Sequence, residues 1–163
     1  SRITEPIWRM VDANTSTLRF DIDMLTQRLV SVTRWLAEQP ETRGLKLGYF
    51  GASTGGAAAL MAAAQLGDQI AAVVSRGGRP DLAGSAIPQV CSPTLLIVGG
   101  YDEMVLCLNS EAYGKLHCEK EFRVVPCATH LFEEPGKLEQ VAQMSANWFK
   151  RHMGSSDDWS IAA

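Results

Sequence analysis

Apolar residues along this chain follow two different spacings, and the switch between them marks out the elements. Leu18, Ile22, Leu25, Leu29, Val32 and Leu36 recur three or four positions apart, with Trp35 alongside, which is the spacing of one helix face. A helix is therefore predicted from near Thr17 or Leu18 to about Gln39, where Pro40 ends it. The residues before it, 1–16, are less regular, and Pro6 to Val11 reads as a short helix or an irregular arm. Leu45 to Phe50 is a short, densely apolar run of strand length that meets Gly51 abruptly. An alanine-rich helix follows from about Thr54 to Leu66, closed by Gly67. Further strands are expected at Ile70–Ser75, Thr94–Val98 and Phe122–Val125, the first two running into glycine pairs and the third into Pro126. Asn109 to Leu116 is helical in composition. A closing helix over Pro135–His152 has Leu138, Val141, Met144, Trp148 and Phe149 on its apolar face. From Gly154 the chain turns polar, so the expected division is a domain over 1–153 and a disordered tail over 154–163.

Short apolar strands alternating with helices define an α/β fold, a parallel sheet flanked by helices with right-handed crossovers. In such sheets the reactive groups lie at the C-terminal strand ends. The 163 residues suit one domain with one sizeable core. A net charge of −3 with scattered Lys and Arg leaves no basic stripe, which argues against nucleic acid as a partner. No run of about 18 uninterrupted apolar residues occurs, so no membrane span is expected. The first residues carry no apolar signal-peptide core, which points to a cytoplasmic protein. The sequence lacks an initiator Met and reads as a fragment or a trimmed chain. Cys91, Cys107, Cys118 and Cys127 contain no CxxC pair, and neither Cys127 with His130 nor His117 with Cys118 completes a four-ligand zinc site. The cysteines are expected to be reduced and largely buried, and no metal or cofactor is implied.

Chemistry enters where the first strand ends. Gly51-Ala52-Ser53-Thr54-Gly55 is a G-x-S-x-G pattern between a strand and a helix. A serine in that sharp turn projects its hydroxyl above the sheet, and small residues two before and two after let strand and helix pack closely. Ser53 is thus a candidate nucleophile. Its place at a helix N-terminus makes the Thr54 N–H a candidate oxyanion donor. The competing reading is a helix capped by Ser53. A serine nucleophile needs a base. His130, in the loop after the last strand, is the candidate; His117 reads as a surface residue, and His152 ends a helix where a cation suits the dipole. An acid must hold that base, and Asp102 follows the third strand, with Glu103 and Asp81 as alternatives and a helix cap as the competing role. Ser75 to Asp81 follows the second strand. There Arg76 or Arg79 could meet an anionic substrate group, against the alternative of a solvated turn or an ion pair with Asp81.

These residues carry a family resemblance. The segments Leu18–Asp23, Gly48–Gly55, Ser75–Gly84, Ser92–Val105 and Ala128–Gly136 resemble the dienelactone-hydrolase-like branch of the α/β-hydrolases, and in particular small bacterial proteins of that branch sometimes fused to a phosphoribosyltransferase domain. The resemblance covers nearly the whole chain apart from the tail. It implies an α/β-hydrolase-like sheet with about four strands retained and the N-terminal strands missing, with Ser53 as nucleophile, Asp102 as acid and His130 as base. Dienelactone hydrolase proper uses a cysteine nucleophile, so the serine here points away from that exact reaction. Family members also carry an HG-type motif on an earlier loop that supplies a second oxyanion donor, and no such motif occurs in this sequence. Without those earlier strands the edge of the Leu45–Phe50 strand would be open, and an open apolar edge recruits another chain. The expectation is a homo-oligomer, or a missing N-terminal segment, covering it. Three functions follow as expectations: a serine hydrolase of a small ester, lactone or thioester; a weak or inactive hydrolase fold used for binding or assembly; and an acyltransferase.

Overall fold

The computed structural model describes the backbone of residues 7–154 and 159–162 and the side chains of residues 21–154. The first helix, α1, runs over Ile7–Glu38. It starts ten residues earlier than the apolar periodicity does, because nothing between Ile7 and Glu38 breaks a helix: the stretch holds no glycine and no proline. Its inward face is also rotated from the one expected. Ile22, Thr26, Val30 and Thr33 are buried, whereas Val32 and Trp35 are exposed. The two threonines satisfy their hydroxyls on the helix itself, Thr26 Oγ1 donating to Ile22 O at 2.7 Å and Thr33 Oγ1 to Leu29 O at 2.8 Å. Thr33 also meets the hydroxyl of buried Tyr49 at 2.5 Å. Polar residues that bond back to their own helix can thus sit where a hydrophobicity count would not put them.

Four strands follow as expected, within a residue or two: β1 (Lys46–Ala52), β2 (Ile70–Arg76), β3 (Thr94–Gly99) and β4 (Lys120–Val125). Between them lie α2 (Thr54–Leu66), a pair of 3₁₀ turns over Pro80–Gln89, and α3 (Glu103–Lys115). Helix α3 begins six residues before Asn109, where its sequence was first legible as helical. Helix α4 spans Lys137–Met153. These four strands are parallel, in the order β4-β3-β2-β1.

Part of the stretch expected to be a disordered tail is a strand, while its residues 155–158 and 163 lie outside the described residues. Trp159–Ala162 forms β5, parallel to β1 and in register from Lys46↔Trp159 to Tyr49↔Ala162. The ladder edge of β1 that was expected to be open is therefore paired over Lys46–Tyr49. An unpaired edge beside a buried strand leaves backbone donors and acceptors without partners, and β5 supplies them.

Two apolar layers enclose the sheet. Helices α1 and α2 cover one face, with Tyr49, Leu60, Val73 and Leu96 among the buried contacts. Helix α4 covers the other, with Val74, Leu95, Ile97, Trp148, Phe149 and Met153. The alternation Leu95/Leu96/Ile97 between faces is the period-two signature of a strand buried on both sides. Gly48 fixes how closely α4 approaches, since a Cβ there would stand 2.7 Å from Met153 Sδ and 2.8 Å from the Phe149 ring. The cysteines do not follow the expectation of burial: all four are free, Cys91, Cys107 and Cys127 are exposed, and Cys118 is half-buried. No helix among the described residues is long and apolar enough to cross a membrane.

His152 also departs from the expected helix-end cation. Its ring packs on Trp148 with centroids 4.3 Å apart, its Nε2 is buried without a hydrogen bond, and Glu119 Oε1 stands off at 3.6 Å. Burial lowers its pKa below the ordinary 6.5 and outweighs the pull of Glu119. A base whose folded pKa lies below its unfolded value binds fewer protons when folded, so its contribution is complete above about 6.5 and is lost as the pH falls toward the folded value. His152→Phe, which keeps a ring on Trp148, is expected to flatten the rise in melting temperature between pH 5.5 and 7.5. Parallel melting curves of the two proteins across that range check it, and identical pH dependence would refute the assignment.

Candidate active site

Ser53 stands between β1 and α2 with φ 52° and ψ −122°. That is a left-sided backbone for a residue with a side chain, held only where the surroundings impose it. They do so by backbone bonds: Ser53 N donates to Arg76 O at 3.2 Å, and Ser53 O accepts from Gly56 N and Arg79 N, each at 3.1 Å. Of the two flanking glycines, Gly51 is required by space, because a Cβ there would collide with the Gly55 carbonyl, whereas a Cβ on Gly55 would meet nothing within 4 Å. The hydroxyl makes no capping bond to α2. The capped-helix reading is thereby set aside, and the sharp turn expected of a nucleophile elbow is present. Thr54 opens α2, so its N–H is one of the four donors that a helix leaves without an internal acceptor.

Asp102 likewise occupies the position before a helix and makes no capping bond to it. Its carboxylate turns instead to His130, with Oδ2 2.6 Å from Nδ1. The side chain of Asp102 is 14% exposed and that of His130 is 40% exposed, so the acid is enclosed while the imidazole reaches the surface. Backbone bonds hold the two loops together: Gly100 N donates to Val125 O and Tyr101 N to Ala128 O, both at 2.9 Å. The end of β3 must be bare for this, since a Cβ on Gly99 would collide with the Ala128 carbonyl and stand 2.7 Å from that of Thr129. The His130 ring lies over the end of β2, where a Cβ on Gly77 would stand 3.4 Å from Cε1. Ser53 and His130 therefore both abut the 76–79 turn, although no hydrogen bond joins Ser53 Oγ to His130 among the described residues.

The two arginines separate. Arg79 is committed to Asp81 through a two-pronged pair, Nε–Oδ1 at 2.9 Å and Nη2–Oδ2 at 2.8 Å, and that bond raises its pKa despite partial burial. Arg79 is thus not available to a ligand, and Asp81 is not an acid for His130. Arg76 lies over the ring of buried Phe132, 5.5 Å from its centroid, and pairs with no carboxylate among the described residues. Glu103 opens α3 and is exposed, and His117 is exposed between α3 and β4.

Several site residues had no local signal in the sequence. Asn109 is buried in α3 and donates to Gly78 O at 3.0 Å, tying that helix to the 76–79 turn from 31 positions away. Glu134 accepts from both the N–H and the hydroxyl of Thr129, beside His130. Phe132 is buried with φ 56°, a left-handed residue inside the histidine loop.

A parallel sheet with a strained serine after β1, an acid after β3 and a histidine in the loop after β4 defines the α/β-hydrolase class. The chain belongs to the dienelactone hydrolase family, whose model matches residues 6–153. It is similar to the crystal structure of a dienelactone hydrolase from Anabaena variabilis, with 53% identity and a TM-score of 0.82 over 92% of this chain and 69% of that one. A protein of Mycobacterium tuberculosis, named provisionally as a phosphoribosyl transferase, is 58% identical over 134 residues. Those residues are 82% of this chain and 30% of that protein, so the chain spans less than a third of this relative's length. The monoacylglycerol lipase of Paleococcus ferrophilus shares the fold at 16% identity, with a TM-score of 0.67 over 80% of this chain and 76% of that one.

Proposed function

We propose that this chain carries the catalytic triad of a serine hydrolase acting on a small ester, lactone or thioester. The observation that carries the reading is the 2.6 Å Asp102–His130 bond, made by a carboxylate that forgoes the helix cap its position offers. With Nδ1 donating to Asp102, the lone pair of the imidazole is on Nε2. Ser53 Oγ attacks the carbonyl carbon as Nε2 takes the hydroxyl proton, and the electron pair of the C=O moves onto oxygen, where the Thr54 N–H stabilises it. Collapse breaks the bond to the leaving group, which takes the proton from His130, and leaves an acyl-serine. Water, deprotonated by His130, then repeats the sequence to release the acid. Proton transfer needs Ser53 Oγ within hydrogen-bond reach of Nε2, a contact of the kind that forms in the substrate complex. Arg79 being committed to Asp81, Arg76 is the arginine that meets an anionic group of the substrate.

A fluorophosphonate probe tests this. Stoichiometric phosphonylation, mapped to the peptide bearing Ser53, together with turnover of short p-nitrophenyl esters, is the expected result. An unlabelled, folded protein that turns over no ester would instead identify a hydrolase fold without hydrolase activity. Product analysis with competing alcohols or amines separates hydrolysis from acyl transfer.

A further inference from the structure

We propose that Glu134 is a positioning residue for His130, acting through Thr129; this deepens the hydrolase reading above and rests on it. Glu134 Oε1 accepts the Thr129 N–H at 3.0 Å and the Thr129 hydroxyl at 2.6 Å. Within the ring so closed, Phe132 N donates to Thr129 O at 3.1 Å, and at its far end Lys137 N donates to Glu134 O at 3.1 Å, where α4 begins. Thr129 is therefore fixed from Glu134, and Phe132 is fixed by burial in the α4 layer. His130 and Leu131 are the two residues strung between those anchors. The direction of the imidazole toward Asp102 is set by where Thr129 is held. A two-pronged carboxylate bond also lowers the Glu134 pKa, with Lys137 adding to the effect, so the clamp is charged at neutral pH.

The charged and titratable groups around the loop are Asp102 from the turn after β3, Arg76 from the end of β2 over Phe132, Tyr101 and Cys127 at its rim, and Lys137 at the start of α4. None of them bonds to Thr129 among the described residues, so no neighbour replaces Glu134.

Glu134→Ala is expected to lower kcat by about 10²-fold with little change in KM, the cost of misplacing a catalytic group by about an ångström. Glu134→Gln keeps a carbonyl oxygen at the same place and is expected to retain activity within a few-fold. The deciding readout needs no turnover. In ¹⁵N NMR of the Ser53→Ala protein, His130 should show a proton fixed on Nδ1, retained in Glu134→Gln and averaged between the two ring nitrogens in Glu134→Ala. Should Glu134→Ala not fold, Thr129→Val, which removes only the hydroxyl prong, is expected to move the same signals in the same direction by less. A His130 tautomer and titration midpoint unchanged in Glu134→Ala, or in Thr129→Val where that is the variant that folds, would overturn the proposal. Since this spectrum is independent of Ser53 chemistry, failure of the hydrolase reading and failure of the clamp give different results.

Discussion

Ser53→Ala is expected to abolish fluorophosphonate labelling and to lower ester turnover by on the order of 10⁶-fold, the scale on which a triad loses rate when its nucleophile is removed. The size follows from what no neighbour can replace. The hydroxyl sits in a turn with φ 52°, unbonded to its own helix, so it contributes nothing to capping α2 that alanine would forfeit. The strained turn is imposed by backbone bonds to Arg76, Gly56 and Arg79, and these remain when the oxygen is removed. Thermal melting of the variant should therefore match the parent within the usual scatter for a substitution away from the core. Steady-state kinetics on a p-nitrophenyl ester, alongside those melts, check the prediction. A loss of turnover accompanied by unfolding, or a loss of only a few-fold, would count against Ser53 as the attacking group.

Asp102→Asn is expected to cost about 10⁴-fold in kcat while leaving the fold intact, as in triads where the acid sets the histidine tautomer. Asparagine fits the same space, but it can turn its NH₂ toward Nδ1, which then accepts rather than donates. The ring proton moves to Nε2, and no lone pair is left for the Ser53 proton. The position before α3 tolerates the exchange, because Asp102 makes no capping bond and its N–H bond to Gly99 O at 3.0 Å is a backbone contact. The kcat of the variant, measured with its circular dichroism spectrum, checks this. Activity within tenfold of the parent would show that another acid serves His130. Among the sequence alternatives, Asp81 is bound to Arg79 and Glu103 is exposed.

The strands and the three candidate positions, Ser53, Asp102 and His130, could be picked out because each has a local cause. A strand buried on both faces is a short run of apolar residues bounded by glycine, and β1, β2 and β3 have that form. Ser53 is marked by the glycine pattern around its turn, and His130 by following the last strand of the apolar series. What was not legible depends on partners distant in sequence. The inward face of α1 includes Thr26 and Thr33, which hydropathy places outside and back-bonding to the helix places inside. Strand β5 is four residues long, too short for a periodicity, and its pairing is decided by the free ladder of β1. Whether Arg76 or Arg79 was available turned on which of them reached Asp81. Asn109 and the Glu134–Thr129 clamp join elements whose approach exists only once the sheet has formed.

The glycines at the strand ends have a metric consequence. Neighbouring strands lie about 4.8 Å apart, so His130, entering from β4, starts three spacings, or roughly 14 Å, from the strand that carries Ser53. Its ring nevertheless rests over the end of β2, one spacing away, having crossed above β3 at Gly99 to reach Gly77. The sheet thus behaves as a ruler, and His130 is brought towards Ser53 by lowering a loop flat across two of its divisions. Bulk added at Gly99, where a Cβ would collide with the Ala128 carbonyl, would lift the loop off that surface without touching Ser53, Asp102 or His130.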